Sequence, residues 1–375
     1  MIKRALFDVI SPYFHSGKVL VLTGPRQVGK TTLLRQFGEA RRDDNPLFLD
    51  CDEPDIVPLL ENATSTALRQ LVGGHRLVFM DEAQRVQNIG RTLKLIADNI
   101  PGVQVVVSGS SALGLRDEVN EPLTGRKLEF RMFPFATAEL AASTSSLEEG
   151  RLLEQRLLYG AYPDVVNQPA NARRILLELA NSYLYKDILA YKDIRRPELL
   201  GKLVTALALQ LGSEVSYNEL AGIIGADKET VERYLDLLEK TFVVFRLRSF
   251  SRNLRTELKK SQKVYFLDNG VRNAVLNNFQ PLALRTDTGA LWENFVISER
   301  RKRNVHRQEF PNTYFWRTQT QQEIDYIEER DGILRAFEIK WSSKKKARLP
   351  ASFAAAYPSH EFARVTSAEW FSFVS

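Results

Sequence analysis

The residues best suited to chemistry lie at 24–31, where the sequence follows the pattern G-x-x-x-x-G-K-T. Glycines let the backbone curl so that successive N–H groups point at phosphate oxygens, and the positive end of a following helix adds to the attraction. We expect Lys30 to reach the β- and γ-phosphates of a nucleotide and the Thr31 hydroxyl to bind Mg²⁺. The predicted nucleotide contacts are Gly24, Pro25, Arg26, Gln27, Val28, Gly29, Lys30, Thr31 and Thr32.

Two adjacent carboxylates are the expected partners of this loop. Asp81 and Glu82 follow the apolar run 77–80, and carboxylates at the end of a buried strand are expensive to place there without a use. We expect Asp81 to hold Mg²⁺ through water and Glu82 to polarise the attacking water. The combination predicts an ATPase with ATP and Mg²⁺ as cofactors.

Further catalytic candidates follow a third apolar run, 103–107, which ends in the polar segment 108–111. A hydroxyl there can sense the γ-phosphate or orient the water, and Ser110 is our candidate; a plain serine turn is the alternative. Arginine can stabilise the charge of a transferring phosphoryl group, in cis or from a neighbouring subunit. Arg126 is the first candidate for that role, ahead of Arg116 and Arg131.

These groups must be positioned by strands and helices in alternation. The apolar runs 19–22, 77–80 and 103–107 are typical of buried strands, and Leu33, Leu34 and Phe37 continue a helical pattern after the glycine loop. Alternating strands and helices predict a doubly wound α/β fold with a mostly parallel sheet. Nucleotide is expected at the carboxyl edge of that sheet.

The middle of the chain predicts helices and then a DNA-binding module. Residues 150–212 have leucines at helical spacing, which suits a helical lid. Ser216 and Glu219 form a capping box, and a glycine turn, a second helix and an apolar strand follow. This order predicts a winged helix-turn-helix, in which the second helix enters the major groove and the wing meets phosphate. The residues expected to face DNA are Lys228, Thr230, Arg233 and Tyr234 in the helix and Arg252, Arg255, Lys259 and Lys260 in the wing.

The charge distribution also favours a polyanionic partner. Residues 1–150 hold 17 Lys and Arg against 19 Asp and Glu, whereas residues 151–375 hold 35 against 27. The stretch 246–275 alone has eight basic and two acidic residues. Such a local excess suits nucleic acid, although a solvated hairpin tip or a winged helix used for protein contacts is the alternative. The basic runs 300–303 and 344–346 suit DNA phosphate, or equally solvated helix ends.

Three short segments of the last hundred residues form a second candidate site. Glu338 and Lys340 are two apart in a strand-like run, so they project from one face. Asp325, on a neighbouring strand, can meet that face, and Glu293 can approach from a helix. This arrangement resembles the PD-(D/E)XK nuclease superfamily. In an active member Asp325 and Glu338 would bind Mg²⁺, Lys340 would stabilise the attacked phosphate or lower the pKa of the water, and Glu293 would assist. A degenerate nuclease fold used for binding or assembly remains the alternative.

Length and composition narrow the class of protein. A chain of 375 residues predicts two or three domains. No apolar run approaches the ~18–20 residues of a membrane span, and the N-terminal segment does not resemble a secretory signal. The single cysteine, Cys51, excludes a disulfide framework or a cysteine zinc site and is expected to be a small buried side chain. We therefore expect a cytoplasmic protein without a membrane partner.

The whole order of motifs resembles a prokaryotic family of AAA-superfamily ATPases in which the ATPase module precedes an uncharacterised conserved C-terminal domain. The resemblance rests on the glycine loop, on Asp81 and Glu82 followed by Ala-Gln, on the segments 107–111 and 123–126, and on downstream landmarks. Those landmarks are the segments 159–163, 183–188 and 265–268. Ala161 departs from the family, which more often has glycine there. The resemblance implies ATP binding and slow hydrolysis, without a biological role.

Together these observations predict four parts. An AAA-type P-loop core covers residues 1–145, a helical lid 146–205, a winged helix-turn-helix 206–262 and an α/β nuclease-like domain 263–375. The predicted function is ATP-regulated handling of DNA, with branched or damaged DNA as candidate substrates, in a chain that can form homo-oligomers. The alternatives are a nucleotide-dependent switch that binds protein partners and an ATP-gated, metal-dependent nuclease.

Overall fold

In the computed structural model of the chain, residues 2–109, 123–182, 196–251, 262–318, 320–344 and 347–375 are described. The chain forms two compact units. Unit one contains Met1–Phe135 and Lys240–Phe242, and unit two contains Ala136–Glu239 and Val243–Ser375. Each unit has its own β-sheet.

Unit one is built on a parallel sheet of five strands. The strands are β1 (Val19–Thr23), β2 (Pro46–Asp50), β3 (Leu77–Asp81), β4 (Gln104–Gly109) and β5 (Lys127–Arg131). Their order in the sheet is β2-β3-β4-β1-β5, and each neighbouring pair is parallel. The carboxyl ends of β1, β3 and β4 therefore lie at one edge, as the sequence predicts.

The described helices of unit one are α1 (Ala5–Ile10), α2 (Lys30–Ala40), α3 (Val57–Leu60), α4 (Ser65–Val72) and α5 (Ile89–Asn99). β1 and β4 are buried at every position, which explains why the runs 19–22 and 105–107 within them are continuously apolar rather than alternating. Side chains from β1, β3, β4 and α5 share one core, including Val21, Val78, Val107 and Leu93. This core holds the three strand ends that carry the predicted catalytic groups.

Unit two begins with helices and ends in a mixed sheet. The described helices are α6 (Thr137–Ser143), α7 (Ser146–Arg151), α8 (Leu153–Tyr159), α9 (Pro163–Asn167), α10 (Ala172–Ser182), α11 (Pro197–Leu209), α12 (Tyr217–Ile224), α13 (Lys228–Lys240), α14 (Asn269–Val275), α15 (Thr288–His306), α16 (Ala351–Ala356) and α17 (Phe371–Val374). The strands are β6 (Glu214–Val215), β7 (Val244–Ser249), β8 (Gln262–Phe266), β9 (Asn312–Arg317), β10 (Glu323–Arg330), β11 (Ile333–Lys340) and β12 (His360–Thr366).

One seven-stranded sheet contains strands from both the predicted winged helix (206–262) and the predicted nuclease-like domain (263–375). Its order is β12-β11-β10-β9-β7-β8-β6. β7 and β8 form an antiparallel pair, and β7 is parallel to β9, with Arg248 opposite Tyr314 and Ser249 opposite Phe315. The predicted winged helix and nuclease-like domain therefore contribute strands to the same sheet. The bounds of the four predicted domains stay predictions.

The helix-turn-helix segment has the secondary structure that its sequence predicts. The Ser216 side chain accepts a hydrogen bond from the Glu219 backbone N–H at the start of α12, as a capping residue does. Gly225 ends α12 at φ +72°, in the left-handed region that favours glycine. α13 begins three residues later, and its apolar face, including Val231, Leu235 and Leu238, is buried. The assignment of this segment to the winged-helix class stays a prediction.

Two of the downstream landmarks, 159–163 and 265–268, contact each other, and the third, 183–188, lies outside the described residues. The Asp268 carboxylate, which caps α14, accepts hydrogen bonds from the backbone N–H groups of Ala161 (2.8 Å) and Val271 (3.2 Å). Gly160 has φ +67°, and a Cβ there would lie 2.0 Å from Asp268 Oδ1. Ala161 contributes its backbone N–H to this contact. Its departure from the family's glycine therefore leaves the hydrogen bond intact.

Among the described helices, none has both the length and the apolar composition needed to cross a bilayer.

Candidate nucleotide site and C-terminal charged cluster

The glycine loop connects β1 to α2 at the carboxyl edge of the parallel sheet. Gly29 has φ +93° and Gln27 has φ +59°, so the backbone turns through the left-handed region twice before the helix starts. Gly24 is required for a different reason, because a Cβ at that position would lie 2.2 Å from the carbonyl oxygen of Met132. The loop therefore has the curled backbone of a phosphate-binding turn.

Lys30 is the first residue of α2, and only 4% of its surface is exposed. Its Nζ donates to the carbonyl oxygens of Gly24 (3.1 Å) and Pro25 (2.9 Å) and lies 3.9 Å from Glu82 Oε1. The ammonium is thus held over the loop by acceptors that phosphate oxygens can replace. This position suits the predicted contact with the β- and γ-phosphates.

Thr31 and Asp81, the predicted magnesium ligands, contact each other. The Thr31 Oγ1 donates to Asp81 Oδ2 at 2.5 Å, and the Ser108 hydroxyl donates to the other carboxylate oxygen. Hydroxyl and carboxylate oxygens are the hard donors that Mg²⁺ prefers, and its site in such ATPases also uses phosphate oxygens and water. The residues present fit Mg²⁺ bound together with a nucleotide.

Glu82 lies directly beyond β3, where its side chain is 20% exposed. Its backbone N–H donates to Asp81 Oδ1 (3.2 Å) and to Ser108 Oγ (3.4 Å). Its carboxylate accepts a hydrogen bond from the Gln84 side-chain amide at 2.5 Å. A partly exposed carboxylate beside Lys30 and Asp81 is placed to accept a proton from water.

Sequence reasoning missed the roles of Ser108 and Gln84. Ser108 is completely buried within β4, and it contacts both Asp81 and Glu82. Ser108 directly follows the apolar run 103–107 at the carboxyl end of β4, and this position is the signal that the sequence offers. Ser110 and Arg116 lie outside the described residues.

The prediction that Arg126 acts in cis is wrong. The Arg126 carbonyl accepts from the Val19 backbone N–H at the start of β1, which is the edge of the sheet opposite the glycine loop. β5 then runs about 13 Å before it reaches the loop edge. The Arg126 Nε pairs with Asp98 at 2.7 Å. A contribution to a neighbouring subunit's site stays a prediction, and Arg131 is the candidate at the loop edge, in register with Thr23.

The C-terminal candidate residues do come together in unit two. Lys340 Nζ lies 3.2 Å from Asp325 Oδ2 and 2.6 Å from Glu338 Oε1. Asp325 Oδ2 also accepts from the Ile339 backbone N–H at 2.7 Å. Burial and the neighbouring Asp325 charge raise the pKa of Glu338 above its ordinary value, against the opposing effect of Lys340. The same-face spacing of Glu338 and Lys340 is therefore realised.

A second lysine, absent from the sequence prediction, completes this cluster. Lys263 on β8 is 3% exposed, and its Nζ lies 3.2 Å from Glu293 Oε1 and 2.5 Å from Glu323 Oε1. The Tyr265 hydroxyl donates to Glu293 Oε1 at 2.7 Å. Burial lowers the pKa of Lys263, but the surrounding carboxylates outweigh burial and the pKa is raised. Glu293 is thus paired with Lys263.

The cluster combines four carboxylates with two ammonium groups. Two carboxylates and water are a sufficient protein contribution to a Mg²⁺ site, so the types of donor at Asp325 and Glu338 fit this ion. Lys340 nevertheless lies between them, and in the described part of the chain no three His, Cys, Asp or Glu side chains form a group that could hold a metal. Metal binding here stays a proposal.

The prediction that the basic stretch 246–275 faces a polyanion needs correction. Arg246 pairs with Asp236 and Glu239. Arg272 is buried, and it pairs with Asp287 at 2.6 Å. Together with Lys263, three of the eight bases therefore pair with carboxylates of this chain. Arg248 is exposed. Those outside the described residues are Arg252, Arg255, Lys259 and Lys260.

The basic run 300–303 is also largely internal. Arg300 pairs with Glu328 at 2.6 Å, and Lys302, which is 2% exposed, pairs with Glu299 at 2.6 Å. Arg301 lies over the ring of Phe245. These residues stabilise the fold of unit two through ion pairs and packing. They are neither solvated helix ends nor a free basic surface.

The predicted recognition helix is exposed only in part. Lys228 and Arg233 are exposed on α13 and Thr230 is half-buried, but Tyr234 is 1% exposed and donates through its hydroxyl to the Arg196 carbonyl. Tyr234 is therefore a packing residue, and its predicted contact with DNA is wrong. Acidic side chains share this exposed face, so it is mixed rather than purely basic.

Three family models match successive parts of the chain. Residues 16–141 match an AAA domain, residues 150–282 a domain of unknown function (DUF8612), and residues 288–371 a domain of unknown function (DUF4143). The first match covers the segment that contains the glycine loop, so this segment is similar to AAA domains.

Three similar proteins carry the name "uncharacterized protein". One from Mycobacterium tuberculosis is 29% identical, over 88% of this chain and 71% of its own length. One from Methanocaldococcus jannaschii is 25% identical, over 78% of this chain and 71% of its own. One from Haemophilus influenzae is 22% identical, over 68% of each. None of these names supplies an activity.

Solved structures overlap only loosely. A chain in the Drosophila ORC bound to AT-rich DNA and Cdc6 has a TM-score of 0.26 and 13% identity, covering 73% of this chain and 92% of that one. The Pif1 helicase from Candida albicans has a TM-score of 0.26 and 16% identity, covering 48% of each chain. Overlaps of this extent do not define a shared overall fold.

Proposed function

We propose that the chain binds ATP at the glycine loop and hydrolyses it. One observation carries this proposal. At the carboxyl edge of the sheet, Thr31 contacts Asp81, and Lys30, which contacts the glycine loop, lies near Glu82. Lys30 exchanges the loop carbonyls for phosphate oxygens. Glu82 orients a water molecule and accepts its proton, while bound Mg²⁺ would neutralise charge on the phosphates.

The test is release of inorganic phosphate from ATP by the purified chain, with and without Mg²⁺. Hydrolysis that disappears in Lys30→Ala and in Glu82→Gln supports the proposal. Glu61→Gln is a matched control, because Glu61 is a half-buried carboxylate whose Oε1 accepts from the Gln87 backbone outside the loop. If the parent, Lys30→Ala and Glu82→Gln all release phosphate at the same rate, the activity comes from a contaminant.

We further propose that ATP binding regulates an action on DNA, with branched or damaged DNA as the substrate class. The support is the exposed Lys228, Arg233 and Arg248 together with the excess of basic residues in the C-terminal 225 residues. This support is weaker than a count of charges suggests, because Arg246, Lys263 and Arg272 pair with carboxylates of the same chain. A mobility shift with duplex and junction DNA over a series of salt concentrations tests it.

The alternative is a nucleotide-dependent switch that binds a protein partner. The observation that favours it is the mixed charge of α13, where acidic residues such as Glu232 are exposed beside Arg233. Absence of any salt-dependent shift with duplex, single-stranded or junction DNA would make this alternative the better proposal.

A third proposal is metal-dependent cleavage of phosphodiesters by the C-terminal cluster. It is supported by the convergence of Asp325, Glu338 and Lys340 on one face. The two carboxylates would hold Mg²⁺, and Lys340 would turn towards the attacked phosphate. Plasmid nicking with Mg²⁺ or Mn²⁺, with and without ATP, tests this activity.

Assembly and location also remain proposals. A homo-oligomer would give Arg126 a role, because this arginine is remote from the nucleotide site of its own chain. Mass determination in solution with and without an ATP analogue tests the assembly. A cytoplasmic location rests on the sequence alone.

A further inference from the structure

The backbone of Glu82 adopts a conformation that residues with side chains seldom occupy. Its φ and ψ are +50° and 39°, in the left-handed region. The turn that follows, Ala83–Arg85, is anchored because Ala83 and Val86 are fully buried in the core of unit one. Such strained positions persist where the surroundings enforce them, and they cluster at functional sites.

Gln84 projects from this anchored turn to the Glu82 carboxylate. Its Nε2 donates to Glu82 Oε2 at 2.5 Å, while Oε1 of the same carboxylate faces Lys30 Nζ at 3.9 Å. The two carboxylate oxygens therefore have different neighbours, an amide and an ammonium. Because the ammonium is expected to contact phosphate once ATP binds, the amide is the contact that persists during hydrolysis.

We propose that Gln84 is a positioning residue for ATP hydrolysis, whose side-chain amide holds the Glu82 carboxylate in line with the attacking water. A neutral donor suits this task. An arginine or lysine would favour the ionised carboxylate and weaken it as a base, and a second carboxylate would repel it. The inference rests on the proposed ATP hydrolysis and assigns a residue outside its predicted catalytic set.

The test compares kcat, KM and the affinity for a non-hydrolysable ATP analogue in Gln84→Met, which keeps the side-chain length and removes the donor. We expect kcat to fall by about tenfold, the effect of removing one hydrogen bond, with KM and affinity unchanged within about twofold. Gln87→Met is the matched control, since Gln87 is exposed three residues further on. Its kcat should equal that of the parent.

A double variant separates positioning from a general structural effect. Glu82→Asp shortens the side chain and withdraws the carboxylate from the amide. If Gln84 acts through Glu82, adding Gln84→Met to Glu82→Asp should lower kcat no further. A further fall in the double variant, parental kcat in Gln84→Met, or a raised KM at unchanged kcat would each overturn the inference. A parent chain that hydrolyses no ATP would overturn the proposed function and this inference together.

Discussion

At the scale of single residues, hydrogen bonds hold the side chains of the candidate nucleotide site in place. Lys30 is held by loop carbonyls, Thr31 by Asp81, and Glu82 by Gln84. Each of these hydrogen bonds can be exchanged or kept when a nucleotide enters. We therefore expect replacement of one of these side chains at a time to have separable effects.

Replacing the Glu82 carboxylate should separate binding from turnover. Glu82→Gln is expected to keep ATP affinity and to reduce kcat by at least about a hundredfold, because only the proton acceptor is removed. Lys30→Ala is expected to weaken ATP binding, because it removes an interaction with the phosphates in the ground state. Fluorescent-nucleotide binding and phosphate release measure the two effects. Parental kcat in Glu82→Gln would mean that this carboxylate is misassigned.

Removing the Ser108 hydroxyl should slow hydrolysis through Asp81 and Glu82, both of which it contacts. Ser108→Ala is expected to lower kcat by about tenfold, the effect of removing one hydrogen bond. Ser108→Thr keeps the hydroxyl and should retain more activity, provided that the buried site accepts a methyl group. A kcat in Ser108→Ala equal to that of the parent would reduce this serine to a packing residue.

Cys51 gives a prediction about pH. Burial, with the nearby carboxylates of Asp50, Asp81, Asp52 and Glu82, raises the pKa of the thiol to about 12. A raised thiol pKa keeps the unreactive protonated form below that value, so the folded chain should resist iodoacetamide from about pH 7 to 9. Unfolding in urea should restore ordinary reactivity, which mass spectrometry detects. Rapid alkylation of the folded chain within that pH range would contradict the burial of this side chain.

At the scale of elements, two glycines of unit two have opposite requirements. Gly160 has a positive φ, and a Cβ there would collide with the Asp268 carboxylate at 2.0 Å. Gly222 lies within α12 and has nothing within 4 Å of an added Cβ. The same substitution should therefore have opposite effects at the two positions.

Gly160→Ala is expected to destabilise unit two by about 3 kcal/mol, through left-handed strain and displacement of Asp268. Gly222→Ala should stabilise it by up to about 1 kcal/mol, because alanine is the better helix former. Denaturant unfolding followed by circular dichroism measures both effects. If Gly222→Ala lowers the free energy of unfolding as much as Gly160→Ala does, the local geometry of these glycines does not determine the effect on stability.

At the scale of the whole molecule, each unit carries a separate candidate site. The nucleotide site belongs to the parallel sheet of unit one. The charged cluster belongs to the mixed sheet and α15 of unit two, where Lys263 pairs with Glu293 and Glu323 and Lys340 pairs with Asp325. Variants of one site should therefore leave the basal activity of the other intact.

Asp325→Ala should abolish any plasmid nicking while ATP hydrolysis stays at the parental rate, because the two sites use different sheets. The control is Asp331→Ala, which changes an acidic residue in the tight turn between β10 and β11. Nicking at the parental rate in Asp325→Ala would exclude the cluster as its source. A parent that cleaves no duplex, single-stranded or branched DNA would remove the nuclease proposal and leave the ATPase proposal standing.

If the predicted wing binds DNA, the affinity should fall with salt concentration, because four of its basic side chains contact phosphates. Replacing Arg252, Arg255, Lys259 and Lys260 by alanine should reduce affinity and flatten the log–log salt dependence by about one for each phosphate that the variant no longer neutralises. Replacing the internally paired Arg246 is no substitute for this test, because it would break ion pairs within the fold. An unchanged salt slope would move the role of this segment to protein contacts.

The sequence alone determined the curled glycine loop of the candidate nucleotide site, because such a loop is local. Its glycines, Lys30 and Thr31 lie within eight consecutive residues, and continuous apolar runs marked the buried strands whose ends carry Asp81 and Glu82. The same-face pairing of Glu338 and Lys340 was equally readable, since strand side chains alternate with a period of two.

Tertiary structure decided what depends on strand order and on distant partners. Only the register of β5 beside β1 shows that Arg126 lies at the wrong edge for its own nucleotide site. Only the tertiary structure shows that Lys263 pairs with Glu293 of α15 and with Glu323 of β10. One base of the stretch 246–275 is therefore buried. A count of charges along the chain does not reveal such pairs, because an ion pair needs proximity in space and its members can be far apart in sequence.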